Sequence, residues 1–260
     1  MNSVRYTLVV VLPSLRRWLV LTLFVFLPFH ALFVTAGTKL LLGHGHPPLP
    51  ELAVWKELLI VIIFAIGIAE LVWSHVRWTE RIDAPTILIL ALLTAALVVS
   101  SAHHSLLTTH FAFGFKYLLL PLLLFLLFKH LRWEEDFLER KVFPAILLVG
   151  GIVAAYGILS FFLPVEFFTA LGYSDAHSLY SPTSPLSAFQ MVSGTAIRRI
   201  QGTFAGPNQL GMWLLLPWSI SLMRILQERD KGPRTKDRGF LPSLVLRPLS
   251  FVLAGTALLL

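Results

Sequence analysis

Chemistry in this chain is concentrated in one stretch, Arg198-Arg199-Ile200-Gln201-Gly202-Thr203-Phe204-Ala205-Gly206-Pro207-Asn208-Gln209-Leu210-Gly211. Pro207 suits the first turn of a helix, where its missing N–H costs nothing. Gly206 then occupies the cap, and the N–H groups of Asn208, Gln209 and Leu210 are expected to face outward at the positive end of the helix dipole. A helix N-terminus beside two guanidinium groups is an anion site. Arg is favoured over Lys there because its fork binds phosphate bidentately. The alternative is that Arg198 and Arg199 simply extend to lipid headgroups from the end of a span. The residues alone leave both readings open.

Lys56, Glu70 and Lys116 fall inside apolar runs. Lys116 has no acidic neighbour in the sequence, whereas Lys56 stands beside Glu57 near a span end and is expected to pair or to reach the interface. Glu70 is expected at the opposite interface. An ionisable residue within the membrane is a functional candidate by default, and Lys116 is the one that stands ready to approach an anion held by the two Arg. His44, His46, His103, His104, His110 and His177 all fall on or near one face. His44-Gly45-His46 supplies two nitrogen ligands, short of the three or four that a metal site uses, so no metal site and no cofactor is expected. Zero cysteines exclude disulfides and thiolate chemistry, and the chain has neither a glycine-rich phosphate loop nor a nucleophile elbow.

The elements that must position these groups are transmembrane helices. The chain has 260 residues, is 56% hydrophobic and only 13% charged, against about 25% charged in a typical soluble domain. Its mean hydropathy is +0.77. Apolar runs at 18–35, 52–73, 84–101, 110–128, 142–163, 203–223 and 243–260 each approach the ~20 residues that a helix needs to cross hydrocarbon. The expected fold is therefore all-α, a polytopic transmembrane bundle of about seven helices, read as one membrane domain over 1–260. The first run follows Arg16 and Arg17 but is too long for a signal-peptide core and is expected to stay uncleaved. Trp18, Trp55, Trp73, Trp78 and Trp133 sit near span ends as interfacial anchors, while Trp213 and Trp218 lie deeper and are expected to pack. The chain ends in the apolar run Leu258-Leu259-Leu260 without a polar flank, as expected of the N-terminal part of a longer protein.

Basic residues fix the expected orientation. Sixteen of the 21 Lys and Arg fall in the N-terminal segment, in the second and fourth loops, and in or just after the sixth, a basic loop at 224–242 followed by Arg247. The opposite loops hold three, namely Lys39, Arg198 and Arg199. By the positive-inside rule the N-terminus is cytoplasmic. The loop at 164–202 is then on the outer face, with irregular backbone expected over its Ser- and Pro-rich part, 174–187. The net charge of +7 is a topology signal spread between spans, so no nucleic-acid partner is expected.

Arg199-x-x-Gly202-Thr203-Phe204-x-x-Pro207-Asn208-x-x-Gly211 resembles the Arg-x-x-Gly-x-Phe-x-x-Pro-Asn signature of the O-antigen ligase and polymerase superfamily. Phe115-Lys116-Tyr117-Leu118 to Pro121 is similar to that family's Lys-containing span. The resemblance implies a multi-pass enzyme of the bacterial inner membrane, which takes a glycan from a polyprenyl diphosphate carrier on the outer face and passes it to a lipid or glycan acceptor. It implies that Arg199, with Arg198 and Lys116, binds the diphosphate, supported by Gly202, Pro207 and Asn208, with membrane lipids around the site. It also implies that the catalytic His comes later than Leu260, so His177 is not given that role. A small-anion transporter of the bicarbonate type and a non-catalytic membrane scaffold are the other classes considered. A transporter is expected to carry polar groups at the bilayer midplane on broken helices, and a scaffold leaves two outer Arg without a reason.

Because the chain has no cysteine, single introduced cysteines report topology directly. Positions 81, 132 and 236 are expected to resist a membrane-impermeant thiol reagent in intact cells. Labelling at 236 overturns the orientation.

Overall fold

A computed structural model describes residues 2–73, 83–103, 120–175, 184–192, 195 and 197–230. Helices dominate them. α1 (Asn2–Phe26) runs into a 3-10 turn at Leu27–Phe29 and continues as α2 (His30–Leu42). One helical turn at Pro50–Ala53 leads into α3 (Trp55–Trp73). Then follow α4 (Ala84–His103), α5 (Leu120–His130), α6 (Phe143–Phe162), the short α7 (Val165–Ala170) and α8 (Pro207–Asp230). Between α7 and α8 lies an antiparallel ribbon of β1 (Gln190–Met191) and β2 (Arg198–Arg199).

Three helical stretches, Val11–Leu42, Glu135–Phe162 and Pro207–Gln227, are long and apolar enough to cross a bilayer. Ala84–Ala95 and Leu120–His130 are shorter apolar helices. The seven expected spans are therefore not all represented: 243–260 and most of 110–128 lie outside the described residues. The first span also runs further than the sequence suggested. Pro28 removes one N–H and tightens the chain into the 3-10 turn, but helix resumes at His30 and runs past Thr35 to Leu42. Gly43 ends it, at φ +91°, with its N–H returned to the Lys39 carbonyl at 2.8 Å.

Contacts divide the chain into two compact units, one of Met1–Val20 with Leu59–Trp133, the other of Leu21–Leu58 with Glu134–Leu260. In the first unit the organising group is Arg16, whose side chain is fully buried. Its Nε and Nη2 donate to the two Glu70 oxygens at 2.8 and 3.2 Å, and Nη2 also donates to the Arg132 carbonyl at 2.9 Å. Its guanidinium lies 4.3 Å from the Trp133 ring centroid. Glu70, 10% exposed, is the carboxylate that serves as this partner. A bare cation in an apolar bundle is costly, so a bidentate carboxylate and a ring face are what make it tolerable. Nearby in sequence, Asp83 caps α4 by accepting the Thr86 N–H at 3.1 Å. Lys129 pairs with it, and that hydrogen bond, then those from Thr86, hold the Asp83 carboxyl well below the usual carboxylate range. The N-terminal segment and the fourth loop, assigned to one face by charge, thus meet at Arg16 and Arg132.

In the second unit α6 packs closely on α8. A Cβ at Gly150 would stand 2.7 Å from Pro217 Cβ, and one at Gly157 would stand 3.1 Å from Ile200. Small residues at such spacing let helix backbones approach, which is how helices associate where no hydrophobic effect drives them together. Val153, Ala154, Leu210 and Leu214 complete the contact, all at most 1% exposed. Trp213 packs against this cluster, as expected of it. The loop after α6 has a small core of its own, Phe168, Tyr173, Ala188 and Phe189. The described part of 174–187 has no helix or named strand, as expected of irregular backbone, but it is tied: the Ser174 N–H donates to Leu186 O at 2.8 Å and the Ala188 N–H to Ser174 O at 3.0 Å. Lys39 at the end of α2 donates to Ala170 O, so the two loops assigned to the opposite face also meet.

Glu70→Ala leaves Arg16 buried and unpaired and should lower stability by about 3–5 kcal/mol, read as a fall in unfolding temperature in detergent. The double variant Arg16→Met/Glu70→Leu should recover most of it. Equal loss in both would show that the pair is not what holds this end together.

Candidate anion-binding site

The site begins with a pleat. In the ribbon Gln190 stands opposite Arg199 and Met191 opposite Arg198. Directly opposed residues share a face and successive residues alternate, so the adjacent Arg198 and Arg199 must point to opposite sides. Arg198 turns to the loop core. Its guanidinium lies 4.1 Å from the Phe189 ring centroid and donates to Leu163 O at 3.2 Å. Arg199 turns the other way, and its Nη2 donates to Asn208 Oδ1 at 2.6 Å. An Arg offers only donors, so the Asn208 atom facing it has to be the oxygen. The Asn208 amide nitrogen is thereby left on the far side of its carboxamide as another donor.

Asn208 is exposed and sits on the first turn of α8, which begins at Pro207 as its sequence suggested. Gly206 is the cap: its carbonyl accepts the Leu210 N–H at 3.2 Å. This corrects one expectation, because the Leu210 N–H is used within the helix and does not face outward. What remains at this point is a half-buried Arg199, the Asn208 amide and the opening of α8, an arrangement of donors and positive potential suited to an oxyanion.

The motif residues between ribbon and helix are structural. Gly202 has φ +56°, and a Cβ there would lie 3.6 Å from the Gly157 Cα of α6. Close approach at Gly202 is thus to the neighbouring helix, at a backbone angle that glycine adopts without strain. Thr203 is 2% exposed and its hydroxyl donates to Pro28 O at 2.6 Å. The carbonyl it satisfies belongs to the 3-10 turn between α1 and α2. Gln201 is buried too, with Nε2 donating to Ser187 O at 2.8 Å. Phe204 joins the α6–α8 core, 6.1 Å from the Trp213 ring.

Arg199, Asn208, Pro207 and Gly202 are brought together here. Arg198 is next to them in sequence, but its guanidinium is engaged with the Phe189 ring and Leu163 O on the other side of the ribbon. Lys116 lies outside the described residues, as do His104, His110 and His177. Lys56 pairs with Glu57 Oε1 at 3.2 Å and its Nζ is 2.7 Å from His30 Nε2, which makes His30 a participant that sequence reading passed over inside an apolar run. Its only signal was a His within a span. Among the described residues no group of three or more His, Asp or Glu is arranged to hold a metal ion.

Three helical stretches able to cross a bilayer, with a cationic loop site at one helix start, define the class: a helical membrane protein. No family model, no curated protein and no solved structure matches the chain.

Arg198→Ala should loosen the loop, seen as faster protease cleavage between 164 and 202. Arg199→Ala should leave the cleavage pattern of the wild type. The reverse pattern would exchange the two roles.

Proposed function

We propose that this is a multi-pass inner-membrane glycosyltransferase that binds the diphosphate of a polyprenyl-linked saccharide on the outer face. The observation that carries the reading is the Arg199–Asn208 pair at the start of α8, on the face that the charge pattern strips of cations. Its sequence likeness to the O-antigen ligase and polymerase signature supplies the reaction class. Breaking a glycosyl–diphosphate bond leaves negative charge on the departing phosphate, and fixed donors that meet it lower the barrier. Arg199 is the charged donor; Asn208 and the first turn of α8 add neutral ones. Arg198 keeps the ribbon seated so that Arg199 stays aimed. The acceptor is a lipid or another glycan, and a topology of about seven spans with a cytoplasmic N-terminus belongs to the same proposal.

A second reading has one observation in its favour. The first span is interrupted by a 3-10 turn at Pro28, and His30, two residues further on, meets Lys56, which pairs with Glu57. Broken helices with ionisable residues are features of transporters, here for a small anion. The two readings separate on Lys56→Met, which should abolish anion flux in a transporter and leave glycan transfer largely intact in the enzyme.

The test of the first reading is transfer of a labelled glycan from its polyprenyl diphosphate carrier by membranes containing the protein, normalised to expression. Hydrogen bonds to charged groups are worth about 1.5–3 kcal/mol, so Arg199→Ala should lower transfer roughly tenfold to a hundredfold. Arg199→Lys should rescue only in part, because the fork is lost. Unchanged transfer by a folded, inserted Arg199→Ala protein would remove the proposal.

A further inference from the structure

We infer that Gln190 is a second binding residue for the anion held by Arg199, reaching it from across the ribbon. The inference rests on the diphosphate reading of the site and adds to it a residue outside the sequence motif. Three observations converge on Gln190. It is the direct cross-strand partner of Arg199, so the two side chains leave the same face of the ribbon with β-carbons about 4.5–5.5 Å apart. Its Nε2 lies 3.4 Å from where a Cβ of Gly206 would stand, which puts the carboxamide beside the cap of α8. It is half-buried, and among the described residues no hydrogen bond ties its side chain down. The other face of the same ribbon carries Arg198, whose guanidinium is held by the Phe189 ring and Leu163 O. One face of the ribbon is therefore spent on the fold, and the other presents an amide and a guanidinium side by side.

The chemistry of that second face is specific. Arg199 bonds Asn208 with one of its donors and keeps others. The Asn208 amide, the Gln190 amide and the first turn of α8 add neutral donors around it. A ligand that spans several donors while carrying charge is a phosphate or diphosphate group. Gly206 leaves the space above the cap open, so the Gln190 amide meets no side chain from the helix start. In this arrangement Arg199 supplies charge and Gln190 supplies a directed N–H from the opposite strand, which fixes the orientation of the bound group.

The experiment uses the full chain in nanodiscs of neutral phosphatidylcholine, with inorganic pyrophosphate as the probe. Four proteins are compared by calorimetric titration: wild type, Arg199→Ala, Gln190→Glu and Gln190→Met. Glu has the shape of Gln but replaces the donor by negative charge, and Met keeps the length without a donor. The ladder bonds of β1 come from the backbone, so both changes should leave the loop's protease pattern as it is in the wild type. Expected are binding by the wild type, loss of binding in Arg199→Ala, weakening of about tenfold or more in Gln190→Glu, and a smaller weakening in Gln190→Met. If Arg199→Ala loses binding while both Gln190 variants bind like the wild type, the inference about Gln190 is wrong and the reading of the site stands. If the wild type itself fails to bind pyrophosphate, both fall. Should Gln190→Glu disturb the loop, Gln190→Met alone decides.

Discussion

Everything at the proposed site hangs on the close approach of α6 and α8. Lipid tails are as apolar as the helix surfaces, so these helices gain little by hiding from their solvent and must associate through packing. Gly150 against Pro217, and Gly157 against Ile200 and Gly202, permit that packing. The same contact does a second task. By letting Gly202 lie against Gly157, it delivers the chain from β2 to the start of α8 over a short path, and Arg199 comes within reach of Asn208. A side chain at Gly157 would press on Ile200 at 3.1 Å, and one at Gly202 would have to adopt a left-handed backbone angle.

The ribbon divides labour between two neighbouring arginines. Strand alternation sends one into the loop and the other to the helix start. Arg198 over Phe189 gives the cation a ring face and a carbonyl, which suits a group held near apolar surface. Arg199 keeps most of its donors. A shift of one residue in register would exchange the two and leave a core guanidinium at the helix. In the proposed site the pairing of Gln190 and Met191 therefore matters as much as the arginines themselves.

Cations are held by different means within each of the two compact units. Where Arg16 lies, charges cancel locally: it takes Glu70 and Trp133, and Asp83 takes Lys129. At the loop of 164–202, carbonyls and rings hold cations in place of carboxylates: Lys39 on Ala170 O, Arg198 on Leu163 O and Phe189. Arg199 has an amide oxygen as its partner. Among the described residues of that loop, Arg198 and Arg199 thus have neutral partners, the arrangement on which the proposed anion site rests.

The helical, membrane-crossing character was legible in composition, because apolar runs near the length of the hydrocarbon leave few alternatives. Helix starts were legible at Pro207 and Ala84, where cap chemistry is local. Lys39 with Ala170 and Arg16 with Arg132 are contacts between segments that the Lys and Arg counts group together. Long-range partners were not legible. Nothing in the sequence joins Arg16 to Glu70, Lys56 to His30 or Thr203 to Pro28, since each pairing depends on how helices distant in sequence come to pack. The first span was expected to pass through Pro28 and to end at Thr35; the helix does resume after the 3-10 turn, but it runs on to Leu42. The sequence determined that two adjacent cations precede a helix start. Only the ribbon's register decided which of them faces it, because alternation has a period of two and the sequence does not say which strand lies opposite.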